Sequence, residues 1–326
     1  MLKVKWGNII MEKLLMDRIN MTIENYRNAK EDLRNDGDLT NHFASLVFAH
    51  NNKEIPFEKI KEIRKYIKAT SSRVSPFRGD MLYILSLLIA LEEGDENKLI
   101  DDIYEAMNVL KFHGFNECDY LVLTALVIAK YGNNKDKHEI AYKMKEVYFL
   151  LKEKYYNITG EDDYLVCALW ALNDIDISII DEFIETIYSH MTDLNIKSKN
   201  GIQGLTNAIM LNGSSGHMYR TIEFMLELEK RDIKLAQQFL PLLGVLSNNE
   251  MRKNIDLIED VTEVLCEEES EYEYYMDKGF RTIIVISILS FSTIPEKRNY
   301  IDELLAQGVY SFIKSKNKGM FAEALA

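Results

Sequence analysis

Three aspartates open short apolar stretches. Asp80 precedes Met81–Ala90, Asp119 precedes Tyr120–Ala129, and Asp163 precedes Tyr164–Leu172. An acid so placed can accept from the open N–H groups of a helix start and sit well against the helix dipole. If the stretches are repeats, equivalent acids also fall along one edge of the stack. There they could bind a cation or a basic peptide, and Asp162 would add charge to that edge. A second set surrounds Ser75-Pro76, where Arg73 and Arg78 flank an apolar Pro76-Phe77 pair. Guanidinium forks suit anions. Alternatively these arginines close neighbouring carbonyls or pair with Asp80. Arg73, Arg78, Asp80, Asp119 and Asp163 are therefore the candidate binding residues.

No residues combine into a catalytic set. There is no Ser/His/Asp order, no His-Glu-x-x-His and no Gly-x-Ser-x-Gly. Gly201-Ile202-Gln203-Gly204 and Gly213-Ser214-Ser215-Gly216 lack the Lys-Ser/Thr of a phosphate loop and read as turns. His113 and Cys118 stand close, but no third or fourth ligand follows, so no metal and no cofactor is expected. The remaining histidines, His42, His50, His138, His190 and His217, are scattered, and His42 reads as a satisfied core residue. Cys118, Cys167 and Cys266 are odd in number and far apart, which argues against a disulfide framework and for a reducing cytosol. Cys167 reads as a small core residue. The chain leans away from an enzyme.

The elements that must carry these residues are helices. Only 4 Pro and 15 Gly in 326 residues argue for helices with short connections, and 47 % hydrophobic residues are ample for a core. A net charge of −13 opposes nucleic acid and anionic membrane as partners. The local exception is Lys53–Arg78, with eight basic and three acidic residues. It reads as a solvated helix face, with RNA binding as the weaker alternative. No apolar run approaches the roughly 18–20 residues that span a bilayer, and no signal-peptide core follows Met1, so a cytoplasmic location is expected. Glu267–Tyr275, rich in Glu and Tyr, reads as a solvated linker or as a docking segment for a basic partner.

An N-terminal helix over Met11–Leu33 is followed by about seven helix pairs. They are His42–Ala49 with Phe57–Lys68, Met81–Leu91 with Asn97–His113, Tyr120–Tyr131 with Lys137–Tyr155, and Tyr164–Asn173 with Ile179–Leu194. Gly204–Leu211 with His217–Lys230, Gln237–Leu246 with Met251–Glu267, and Phe280–Phe291 with Glu296–Ile313 complete the set. Ser178 can cap the second helix of the fourth pair. The interval from Asp80 to Asp119 is 39 residues and from Asp119 to Asp163 is 44, the size of two-helix repeats. The first helix of each pair is apolar on most faces and must be buried on most sides; the second has one apolar stripe and lies outside. Residues 1–38 then form the N-terminal helix, 39–313 the repeat domain and 314–326 a frayed tail. An all-α solenoid is expected, with a closed α/α toroid as the alternative.

Ser75-Pro76-Phe77-Arg78-Gly79-Asp80, with Thr40–Ala44 and Ile63–Lys68 upstream and Asp162-Asp163-Tyr164 and Asn200–Gln203 downstream, resembles a bacterial family. It is the domain-of-unknown-function family numbered four thousand and three, found mainly in Gram-positive bacteria. The resemblance spans roughly Glu12 to Ser311. It implies a helical bacterial protein and supplies no activity, cofactor or site residue. The functional expectation is a non-enzymatic module that binds a protein or peptide. The alternative is an enzyme or small-molecule binder on a toroid, with acids at its inner-helix starts.

Overall fold

The computed structural model describes residues 9–132, 135–154, 156–157, 159–178, 215–246, 255–293 and 300–325, with the single positions 185 and 204. Among them every regular element is helical, so the protein is all-α. Helix α1 (Ile9–Asp32) is followed by α2 (Asp38–His50), α3 (Phe57–Thr70), α4 (Asp80–Leu91) and α5 (Glu96–Phe112). Next come α6 (Asp119–Tyr131), α7 (Lys137–Lys154) and α8 (Tyr164–Leu172). After the undescribed stretch the chain continues as α9 (Ser215–Lys230), α10 (Leu240–Leu246), α11 (Ile255–Glu268), α12 (Ser270–Tyr274), α13 (Lys278–Thr293) and α14 (Ile301–Leu325). The expected helices over Ile179–Leu194 and Gly204–Leu211, and the helix starts at Met251 and Glu296, fall outside the described residues, apart from positions 185 and 204.

Two kinds of helix alternate, for the reason their composition gives. In α8 every residue from Tyr164 to Leu172 is buried, and α4 buries all but Asp80 and Tyr83. Such helices have no polar face to turn to water. In the outer set the burial is a stripe: Ile60, Ile63 and Ile67 in α3; Ile140, Ala141, Met144, Val147 and Leu151 in α7; Ile255, Ile258, Val261 and Leu265 in α11. Each fully buried Ile or Leu contributes about 2 kcal/mol through the apolar surface it removes from water. Two of the outer helices, α5 and α7, are started by side chains. Asp95 accepts from the N–H groups of Asn97 (3.0 Å) and Lys98 (3.1 Å), and Asp136 accepts from His138 (2.9 Å). At Ser178, expected to cap the next helix, the N–H and the hydroxyl donate to Asp176 at 2.8 and 2.6 Å; the residues it would cap lie outside the described ones.

The inner helices pack in sequence, α2 on α4, α4 on α6 and α6 on α8. The last hairpin meets the first, because α13 packs on both α1 and α2, and α11 touches α1. Tyr26 stacks on His42 there, with ring centroids 3.8 Å apart, and the fully buried Tyr272 meets His42 edge-on at 5.0 Å. Arg27 pairs with Glu269 at 3.1 Å and Lys30 with Glu271 at 3.0 Å. Glu267–Tyr275 is thus no solvated linker. It forms the end of α11 and the short α12, and the base it docks on is α1 of the same chain.

Helix α14 is buried on every side from Ile301 to Tyr310. It packs on α2, α4, α6 and α10. Its approach to Phe239 needs Gly308: a Cβ there would come 2.5 Å from Phe239 Cδ1, too close for any side chain. The helix runs on through Leu325.

Charge fixes both of its ends. At its start, Asp302 accepts from Asn51 Nδ2 at 3.0 Å and pairs with His50 Nδ1 at 2.8 Å, at the end of α2. Glu303 pairs with Lys130 and accepts from the Tyr131 hydroxyl at 3.2 Å, at the end of α6. Tyr300 meets Asn173, just past α8, at 3.3 Å. Toward the other end, Gln307 Nε2 donates to the Asp162 carbonyl (2.6 Å) and Lys316 pairs with Asp277 (2.9 Å), both at inner-helix starts. Helix α14 therefore runs antiparallel to the inner helices. Among the described residues no helix is long and apolar enough to cross a membrane.

Candidate functional site

Three of the five candidate residues come to one end of the molecule, at the starts of the inner helices. Asp80 and Asp119 are the first residues of α4 and α6, one position inside each helix, and the N-cap residues before them, Gly79 and Cys118, make no side-chain cap bond. They act on the dipole from the first turn. Burial, and then the charge of Asp119, raises the pKa of Asp80, so the two carboxylates feel one another. The Tyr310 hydroxyl of α14 faces Asp119; burial, then that hydrogen bond and the negative charge, raises the phenol. Beside it the Tyr120 hydroxyl meets Ser311 Oγ at 3.1 Å, and Lys314 Nζ lies 4.9 Å from the Tyr120 ring and 5.6 Å from the Tyr310 ring.

Asp163 stands just before α8. Its Oδ2 accepts from the Gly160 N–H at 2.8 Å rather than from the helix. Burial, with the charge of Asp162 next, pushes its carboxyl up to about 8. Asp162 is also raised by burial, against the pull of Lys314 and Lys318. The acid edge is therefore filled from within the chain: Tyr310, Ser311 and Lys314 of α14 stand where a ligand would. The unsatisfied Gln307 Oε1 lies on the same helix.

The two arginines separate from the acids and from each other. Arg78 donates to the carbonyls of Ser72 (3.1 Å), Lys68 (2.7 Å) and Ser71 (2.6 Å), closing the end of α3. Arg73 is exposed in the turn beyond it. Cys118 does not join His113: burial pushes its thiol up to about 12, and His113 Nε2 instead lies 3.2 Å from His138 Nδ1. No group of three or more His, Cys, Asp or Glu that could hold a metal ion occurs among the described residues. His42 is a core residue whose Nδ1 has no hydrogen-bond partner; its ring stacks on Tyr26 and meets Tyr272 edge-on.

A surface not expected from the sequence lies on the outside of α7. Tyr142 and Phe149 are each 57 % exposed, Tyr156 just beyond the helix is 72 % exposed, and Phe112 at the end of α5 is 80 % exposed. Along α7 the exposed face reads His138, Tyr142, Lys145, Phe149, Lys152, then Tyr156. The spacing alternates four and three, which keeps the five helical residues from His138 to Lys152 on one stripe, away from the buried one, with Lys145 and Lys152 half-buried and Tyr156 two residues past the helix end. Lys145 Nζ lies 5.6 Å from the Phe149 ring, and Lys152 Nζ lies 5.5 Å from Tyr148 and 6.0 Å from Tyr156. Phe112 meets His138 edge-on at 5.8 Å and widens the stripe. The periodicity was readable; it was masked by the stronger apolar stripe of the same helix.

No curated protein and no solved structure matches the chain. A family model described as a protein of unknown function matches residues 25–318, a span that includes the helix-start acids, the α7 stripe and the buried part of α14. With nine-tenths of its length so covered, the chain belongs to the DUF4003 family.

Proposed function

We propose that this chain is a helical-repeat protein-binding module, with its hairpins closed into an α/α ring around α14. In this reading the outer face of α7 takes an acidic amphipathic helix from a partner protein. The observation that carries it is the exposed stripe Tyr142-Lys145-Phe149-Lys152 on α7. Large aromatics stay in water at a cost, and Tyr and Phe beside cations are the chemistry of interface hot spots. Four–three spacing is the seam on which a second helix lies. The interleaved lysines select acids on the flanks of that helix. Support for the ring is the packing of α13 on α1 and α2. A concave groove for a peptide has no support, because α14 covers the inner helices that would line it.

The alternative of an enzyme on a toroid rests on the raised carboxyls of Asp162 and Asp163. Their edge is filled by Tyr310 and Lys314, which weighs for the binding module.

Co-purification from the native host tests the proposal. Tagged wild-type chain is compared with Tyr142→Ala/Phe149→Ala, both checked by circular dichroism. The proposal expects at least one protein recovered with the wild type and lost with the folded double variant. The same set of proteins with both chains, or none above background with the wild type, contradicts it.

A further inference from the structure

The basic run Lys53–Arg78 is not one surface. Lys53 donates to the Leu91 carbonyl at 2.8 Å and Lys59 to the Glu92 carbonyl at 2.9 Å, so both close the end of α4. Arg78 is spent on the end of α3. What remains is Lys61, Arg64, Lys65 and Lys68, at the i, i+3, i+4 and i+7 positions of a single face of α3. That face walls a cleft of about 480 Å³, bounded across from it by Asn35 and the α1–α2 turn and at its back by Tyr83 of α4. Small-ligand sites occupy roughly 300–1,000 Å³.

The floor of the cleft is built. Arg64 forks onto Asp36 with both terminal nitrogens, one contact at 2.9 Å, and its Nε donates to Ser86 Oγ at 2.9 Å. Its guanidinium lies 4.9 Å from the Tyr83 ring. Asp36 and Ser86 are buried, so the fork is fixed from below. A buried ion pair returns little net stability, since both charges are desolvated. What it does secure here is geometry: a cation held under an open cleft.

The charges above it are uneven. Two acids, Asp32 and Asp36, line the cleft with four bases. Asp36 is taken by Arg64, and Lys61 reaches Glu58 (2.7 Å) and Asp32 (4.0 Å). Lys65 and Lys68 are exposed and form no ion pair among the described residues. Four bases against two acids leave the cleft an excess of two positive charges in a chain of net charge −13, with the guanidinium paired to Asp36 and Lys68 also close enough to act on that carboxylate.

We propose that this cleft is a binding site for a small ligand bearing phosphate groups, held by Lys65 and Lys68 above the Arg64 fork. A doubly charged phosphate group matches two free ammonium groups in number. Residues of three elements, α3, the α1–α2 turn and α4, line the cleft, and its size suits a compact anion better than an extended nucleic-acid backbone. The site is independent of the α7 surface.

Titration calorimetry at physiological salt tests it, with inorganic pyrophosphate as the probe and a short single-stranded RNA in a parallel arm. The wild-type chain is expected to bind pyrophosphate saturably in the sub-millimolar range. Lys65→Ala/Lys68→Ala should weaken that binding at least tenfold with an unchanged melting temperature. Lys65→Arg/Lys68→Arg, which keeps both charges, should retain it, and so controls for any loss of fold. Absence of saturable pyrophosphate binding at millimolar concentration overturns the proposal, as does equal binding by the Ala variant. RNA binding tighter than pyrophosphate, with a steep salt dependence, also overturns it and assigns the cleft to a nucleic-acid backbone.

Discussion

Asp163 is raised further by burial than Asp80, its counterpart at the start of α4. Its folded carboxyl titrates at about 8, against about 3.9 in an unfolded chain. Between those values the folded state holds a proton that the unfolded state has released. Stability therefore falls as pH rises through that window, by up to about 1.4 kcal/mol per pH unit. Asp163→Asn removes the titration and keeps an acceptor for the Gly160 N–H. We expect its unfolding free energy to be flatter than the wild type's between pH 5 and pH 8, approximately the window of the shift, and higher at the alkaline end. Equal pH slopes in chemical denaturation would show that the carboxylate is not buried as described. At this scale the sequence was partly readable. The positions of Asp80, Asp119 and Asp163 at helix starts follow from the apolar runs behind them. Their partners do not, because Tyr310 and Lys314 come from a helix nearly 150 residues or more downstream. The true caps Asp95 and Asp136 went unnoticed because they sit on the outer helices, ahead of less uniform apolar patterns.

Among the elements, α14 is the one whose role depends most on distant charge. Lys130 is nearly buried; burial alone lowers its pKa, and the Glu303 and Glu92 carboxylates more than reverse this. Removing one member of a buried pair strands the other, at a cost of about 3–5 kcal/mol. Glu303→Gln and Lys130→Met should each destabilise the fold on that order, tempered by Glu92. The apolar double variant Lys130→Met/Glu303→Leu should cost clearly less than the sum. Singles within about 0.5 kcal/mol of wild type would mean the pair does not hold the helix. The inner and outer helices were legible from the width of their apolar faces. The place of α14 was not: Ile301-Leu304-Leu305 gives an ordinary stripe, and only the packing shows that Ala306 and Gly308 let the opposite face be buried too. Glu267–Tyr275 misled in the other direction. Its glutamates suggested solvent, and Glu267, Glu268 and Glu273 are exposed, but Glu269 and Glu271 face Arg27 and Lys30 while Tyr272 turns into the core.

For the whole molecule, the all-α class follows from few helix breakers and an alternation of fully apolar and striped helices. Whether the array closes does not, because stacking rules are the same for an open and a closed set of hairpins. What distinguishes them is the contact between the first and last pairs, and those residues lie more than two hundred positions apart. The proposed ring around α14 makes a direct claim about size, and small-angle scattering from the dilute monomer measures it. A closed, filled array of 326 residues should give a radius of gyration of about 20 Å and a symmetric distance distribution. A radius well above about 25 Å, with the long tail of an extended particle, would contradict the ring.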